Sequence, residues 1–103
     1  MYYFAYGTNV NKRIFLNRFK GSIFFKTHTI KGYSLVFRSK SGLPDLKSNL
    51  KAKTYGIIYL INPIIEKRLD EYEEYPKIYI KKYLKYRNKK KMFYVMKKKT
   101  KPT

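Results

Sequence analysis

Tyr3-Phe4-Ala5-Tyr6-Gly7-Thr8-Asn9-Val10 lies near the front of a 103-residue chain, and the order of its residue types sets the architecture of the whole N-terminal part. Met1 to Ala5 is a short aromatic run of high strand propensity that stops at Gly7, so it reads as a buried strand running into a turn. Asn9 or Asn11 can cap the helix that comes next, where Val10, Ile14, Phe15 and Phe19 recur at helical spacing up to the stop signal Gly21. A strand-to-helix turn leaves successive backbone N–H groups unpaired and pointing the same way, and Gly7 permits the positive φ that such a nest often requires. Thr8 and Asn9 add side-chain donors, so the Tyr6 to Asn9 turn can hold a carboxylate or stabilise an oxyanion. The same residues also fit a glycine turn followed by an asparagine cap with no ligand at all.

Working outward, Ser22 to Arg38 is rich in β-branched and aromatic residues on both sides of Gly32, which predicts two strands meeting there. Ser39 to Lys53 carries Gly42, Pro44, Asp45 and Asn49 without periodicity and predicts a long surface loop. Thr54 to Ile61 is nearly continuous apolar sequence, as a central strand requires. Asn62 is then a good N-cap with Pro63 at the first helical position, and Ile65, Leu69 and Tyr72 mark a buried face before Pro76 ends the helix. Lys77 to Tyr86 and Met92 to Met96 predict a last hairpin around a polar tip, Arg87 to Lys91. The order of elements predicts an α+β domain over residues 1–96, a small curled, barrel-like mixed β-sheet with two helices, followed by a basic, disordered tail over 97–103.

Composition narrows the chemistry. Hydrophobic residues make up 44% and aromatics 18%, too apolar for a disordered chain. With no cysteine and a single histidine, His28, there is no material for disulfides, thiol chemistry or a zinc cluster, and no cofactor is expected; His28 itself is expected on the surface. No apolar run reaches the ~18 residues of a bilayer span, and the first residues lack a basic secretion-signal region, so a soluble, cytoplasmic protein is expected. The formal charge of +19 implies anionic partners. Codon bias in an AT-rich genome would yield the same Lys, Ile, Tyr and Asn enrichment without any selected site. Oligomeric state cannot be read at this level.

Five of the six acidic residues, Glu66, Asp70, Glu71, Glu73 and Glu74, fall within nine positions. Glu73 comes directly after the buried-face Tyr72 near the end of the acidic helix, where its flank can face a cavity. Neighbouring carboxylates would push its pKa up towards the range useful to a general base, while the lysine-rich surroundings would push it down. An acidic run on a helix is also simply what a solvated face looks like.

Taken together, these segments resemble the gamma-glutamylcyclotransferase family. Residues 3–10 are similar to its N-terminal signature Tyr-Phe-Ala-Tyr-Gly-Ser-Asn-Leu, with Thr for Ser and Val for Leu. Leu69-Asp70-Glu71-Tyr72-Glu73-Glu74-Tyr75-Pro76-Lys77-Ile78-Tyr79 is similar to the family pattern Leu-Asp-x-x-Glu-Gly-Tyr-Pro-x-x-Tyr, in which the first Glu is catalytic. Gly32-Tyr33-Ser34-Leu35-Val36-Phe37, Tyr55-Gly56-Ile57-Ile58-Tyr59 and Phe93-Tyr94-Val95-Met96 resemble family strands between and after them. The resemblance implies an enzyme releasing 5-oxoproline and a free amine from a gamma-glutamyl amide without a metal or organic cofactor. It gives Glu73 the role of general acid/base, and assigns the small substrate to Tyr6, Gly7, Thr8, Asn9 and Tyr79. Glu74 departs from the pattern, since the family has Gly there, and a domain can keep its fold while losing its chemistry.

A different class of function is also compatible with the sequence. From Tyr79 to Lys91 aromatics are interleaved with cations, the arrangement used to stack bases and neutralise phosphates in single-stranded nucleic acid, with Lys89, Lys90 and Lys91 as the polyanion contacts. A half-exposed hairpin with one aromatic and one lysine face generates the same alternation.

Overall fold

A computed structural model describes residues 1–98 of the chain, and of Thr8 and Asn9 the backbone only. The expected first strand, β1 (Tyr2–Ala5), occupies the middle of a five-stranded mixed sheet whose order is β2-β3-β1-β5-β4. β2 (Ile23–Phe37) and β3 (Pro44–Leu60) form a long antiparallel hairpin, as do β4 (Tyr79–Tyr86) and β5 (Lys89–Met96). β1 joins them, running antiparallel to β3 with Tyr3 opposite Tyr59, and parallel to β5 with Tyr3 opposite Met92. The sheet is curled, as expected of a small barrel-like mixed sheet with two helices, but not closed: β2 and β4 are its edges.

Because strand side chains alternate between faces, the sheet has two apolar sides. Tyr3, Ala5, Ile57, Tyr59, Met92 and Tyr94 point to one, where Phe15 of α1 (Lys12–Arg18), its C-cap Phe19, and Ile65 and Leu69 of α2 (Pro63–Tyr72) cover them. Phe4, Ile58, Phe93 and Val95 point to the other, away from α1 and α2, and the β2–β3 hairpin curls over to bring Ile30, Tyr33 and Leu46 onto them. Both helices start as the sequence predicts. Asn11 Oδ1 accepts from Ile14 N at 3.1 Å and Asn62 Oδ1 from Ile65 N at 2.8 Å, each satisfying an otherwise orphaned donor. Of the two asparagines able to cap α1, Asn11 does so.

Four expectations are corrected. The loop predicted over Ser39 to Lys53 is mostly strand, with a turn confined to residues 38–43 before β3 begins at Pro44. Its sequence shows no period because Lys47 to Lys51 are exposed on both faces of an outlying hairpin arm, and alternation appears only where one face is buried. The two strands predicted around Gly32 are one strand with an irregularity. Between the pairs Lys31↔Lys53 and Tyr33↔Ser48, β2 advances through Gly32 alone while β3 advances through residues 49–52, leaving Leu50 98% exposed. The last hairpin turns at Arg87 and Asn88, tighter than predicted, and Lys91 is buried within β5. Tyr72, expected on the buried face of α2, is 44% exposed. Among the described residues no helix is long and apolar enough to cross a membrane. From residue 99 on, the expected disordered tail lies outside the described residues.

Candidate active site

The acidic helix ends in a defined motif. Glu74 N donates to Glu71 O at 3.2 Å and Tyr75 N to Asp70 O at 2.8 Å, the pair of bonds that closes a helix when the residue after the cap turns left-handed. Glu74 is that residue, with φ of 51°, a region that glycine enters freely and other L-residues enter at a cost. Glu73 is the cap itself, its N–H donating to Leu69 O at 2.8 Å, and this geometry points the chain back towards the start of β4.

Glu73 thereby shares a cavity of about 220 Å³ with Tyr6, from the end of β1, and Tyr79, from the start of β4. Tyr3, Tyr94 and the Leu43–Pro44 segment form further walls, with Tyr72, Glu74 and Ile78 beside them. Tyr6 Oη donates to the Tyr94 carbonyl and Tyr79 Oη donates to the Pro44 carbonyl at 2.7 Å. Burial raises the pKa of both phenols well above the ordinary value. The charge of Asp45 and that of Glu73 add to this at Tyr6, and those of Glu73 and Asp45 at Tyr79. Both rings therefore stay protonated, with the proton committed to the main chain. What each hydroxyl can still offer a ligand is an oxygen lone pair.

The remaining acids are distributed by function. Asp70 accepts from Tyr94 Oη at 2.6 Å, and Lys81 Nζ bridges Asp70 at 3.1 Å and Glu66 at 2.7 Å. Lys81 is thereby held above its ordinary pKa despite the cost of its burial, and Tyr94 is pushed up by burial and by its bond to Asp70. Asp45, lost in the predicted loop, is fully buried. It receives Arg38 Nε at 2.9 Å and Nη2 at 2.8 Å, Leu46 N at 2.8 Å and Met96 N at 2.9 Å. This pins the β2–β3 turn, and with it Leu43 and Pro44, to the end of β5. The one sequence signal for Asp45 is that it is the only acid outside the α2 segment.

Of the predicted substrate residues, Tyr6, Glu73 and Tyr79 are brought together. Gly7 is not a wall of the same cavity. Its φ is 68°, as the nest argument requires, but a Cβ built on it would come within 3.0 Å of Pro44 Cγ. Gly7 instead lines a neighbouring hollow with Val10, Leu35 and Phe37, and Leu43 and Pro44 separate the two spaces as a common wall. Thr8 and Asn9 continue from Gly7 in a single 3₁₀ turn, Gly7–Val10, and their side chains lie outside what the structure describes.

Among the predicted polyanion contacts, Lys89 and Lys90 are exposed on β5, whereas Lys91 turns inward, its Nζ 2.9 Å from Nε2 of His28. His28 is half-buried rather than a free surface group. Tyr79 and Tyr86 are core residues on opposite faces, so the interleaved aromatics of this hairpin are mainly its two buried sides, and Tyr83, 48% exposed, is the exception.

Comparison with known proteins adds a family. The family model described as gamma-glutamyl cyclotransferase, AIG2-like, matches residues 3–103. No curated protein sequence matches. Among solved structures, an uncharacterized protein, PH0828, from Pyrococcus horikoshii superposes with a TM-score of 0.76 at 22% identity, over 99% of this chain and 82% of that one. A gamma-glutamyl cyclotransferase gives 0.76 at 20% identity over 93% and 66% of the two chains. An AIG2-like protein from Mus musculus gives 0.72 at 20% identity over 93% and 76%. At these identities the structures speak for the fold.

Proposed function

Because the chain belongs to the AIG2-like gamma-glutamyl cyclotransferase family, we propose that it cleaves a small gamma-glutamyl amide, with the cytoplasm as its expected setting. The substrate's α-amino nitrogen attacks its own side-chain carbonyl carbon, the C–N bond to the amine breaks, and 5-oxoproline and a free amine leave. An intramolecular attack needs little beyond a base, a donor for the developing oxyanion and a folded substrate conformer.

Glu73 takes a proton from the α-ammonium group and returns one to the departing nitrogen. The observation that carries this assignment is the company Glu73 keeps in the cavity. Tyr6 and Tyr79 have their protons fixed on backbone carbonyls, so carboxylate and phenol oxygens together present acceptors, which suits an ammonium group. Backbone N–H groups of the Gly7 to Asn9 turn supply the oxyanion or carboxylate donors. With Pro44 packed against Gly7, the substrate reaches them along the Leu43–Pro44 wall.

Glu73→Gln keeps the side-chain shape and removes the base. Release of 5-oxoproline is expected to drop by ~10²- to 10⁴-fold with the melting temperature close to wild type. Turnover retained in the variant would remove Glu73 from the mechanism. Wild-type protein that turns over none of a broad panel of gamma-glutamyl amides would mean a family fold without the family chemistry.

A further inference from the structure

The far end of the β4–β5 hairpin carries an arrangement that catalysis does not use. Lys85 and Lys90 stand directly opposite each other across the two strands, and like charges in that relation repel. They project from the sheet face that α1 and α2 cover further along, because Lys85 alternates with Tyr83 and Lys81, and Lys81 meets α2. Beyond Lys81 this face is open, and Tyr83 is 48% exposed. A shallow hollow of about 540 Å³ lies there, walled by Tyr83, Lys85, Asn88, Lys89 and Lys90 together with Leu84.

The acids that could neutralise these lysines are elsewhere. Glu66 and Asp70 bind Lys81, Asp45 is buried against Arg38, and Glu71, Glu73 and Glu74 sit at the end of α2. Among the described residues, Lys85, Lys89 and Lys90 form no ion pair with a carboxylate. The protein thus keeps three cations along a hollow that holds one open aromatic ring, on a chain of net charge +19.

We propose that this hollow binds single-stranded nucleic acid, one base stacking on Tyr83 while Lys85, Lys89 and Lys90 meet the neighbouring phosphates and Asn88 offers a polar contact. A positive groove beside an aromatic platform is how single strands are held without sequence preference. A duplex hides its base faces and cannot use the ring. The hollow is separate from the catalytic cavity: Tyr79, which lines that cavity, lies six residues up β4 from Lys85, or about 20 Å of strand, so both sites can be occupied together.

The test is fluorescence anisotropy with the full chain and a labelled oligothymidylate of about 15 nucleotides, titrated over a range of salt. Log affinity is expected to fall linearly with log salt. The double variant Lys85→Gln, Lys90→Gln should bind at least tenfold more weakly and reduce the magnitude of the slope by about 1.4, two single-strand phosphate contacts. A charge-matched control, Lys20→Gln with Lys67→Gln, both exposed and away from the hairpin, should change the slope little. Tyr83→Ala should weaken binding severalfold with the slope intact. The proposal is overturned if wild type does not bind at low salt or if the two double variants behave alike, which would mean net charge only. It is equally overturned if inorganic polyphosphate competes as well as the oligonucleotide and Tyr83→Ala has no effect.

Discussion

Two buried polar clusters lie within this small sheet, and they meet the problem of burial in opposite ways. At the end of the sheet that holds the candidate site, Asp45 is surrounded by four donors from three parts of the chain, and every donor is matched. On the face wrapped by the β2–β3 hairpin, Lys91 Nζ meets His28 Nε2 at 2.9 Å, two basic nitrogens with one hydrogen between them. The buried Tyr86 hydroxyl beside them has no hydrogen-bond partner among the described residues, and its ring lies 5.2 Å from that of His28 and 5.3 Å from Lys91 Nζ. A buried charge is kept where the opposite charge and N–H groups arrive to meet it. Where none arrives, burial disfavours the protonated form: it lowers the pKa of Lys91, and with the charges of Lys91 and Lys26 it lowers that of His28.

The largest test of this contrast is at the satisfied cluster. Asp45→Ala removes the carboxylate that meets the buried Arg38 guanidinium and frees the β2–β3 turn, and should cost roughly 3–5 kcal/mol in denaturant unfolding. A loss below about 1 kcal/mol would show that the network is not what holds the turn. At the unsatisfied cluster the opposite sign is expected. Lys91→Met keeps the apolar stem and removes the ammonium, and should stabilise by up to about 1 kcal/mol at neutral pH. Destabilisation would mean that the Lys91–His28 bond is worth more than the burial it demands.

Back at the candidate site, Glu74→Gly relieves the left-handed backbone after the helix cap and should stabilise by roughly 0.5–1 kcal/mol. Retained 5-oxoproline release in that variant would show that Glu74 has no part in catalysis; a gain in stability with loss of turnover would give its carboxylate a role. The smallest effect is in pH. With its folded pKa depressed, His28 binds protons more readily in the unfolded chain, so stability is lost as pH falls below about 6.5. The melting temperature should fall less steeply between about pH 7 and pH 5 in His28→Gln than in wild type. Equal slopes would remove His28 from the acid sensitivity.

What the sequence made legible was local. The β1 strand and its turn, and the Asn62-Pro63 helix start, announce themselves within a few residues because caps and turns are satisfied by near neighbours. Tyr6, Glu73 and Tyr79 were readable through the family resemblance, although nothing local says that they meet. The unread parts depend on partners far along the chain: Met96 is 51 positions from Asp45, His28 is 63 from Lys91, and Tyr94 is 88 from Tyr6. No periodicity marks such pairs, so Asp45 looked like a loop residue and Lys91 like part of a wet tip. Nor could the turn motif reveal that Pro44 would pack against Gly7 and divide the space beside it.

The central place of β1 also fixes the order in which the protein can be assembled. One edge of Tyr2–Ala5 is closed by residues 57–60 and the other by residues 91 and 92, so the strand synthesised first among the five is completed by the one synthesised last. During translation its aromatic edge must wait unpaired while most of the chain is made, a window in which such a segment recruits other chains. Closure spans long separations in sequence and is correspondingly slow. Folding is therefore expected to finish only after β5 has left the ribosome, and chaperone supply during synthesis should affect the yield of active protein more than any single surface substitution does.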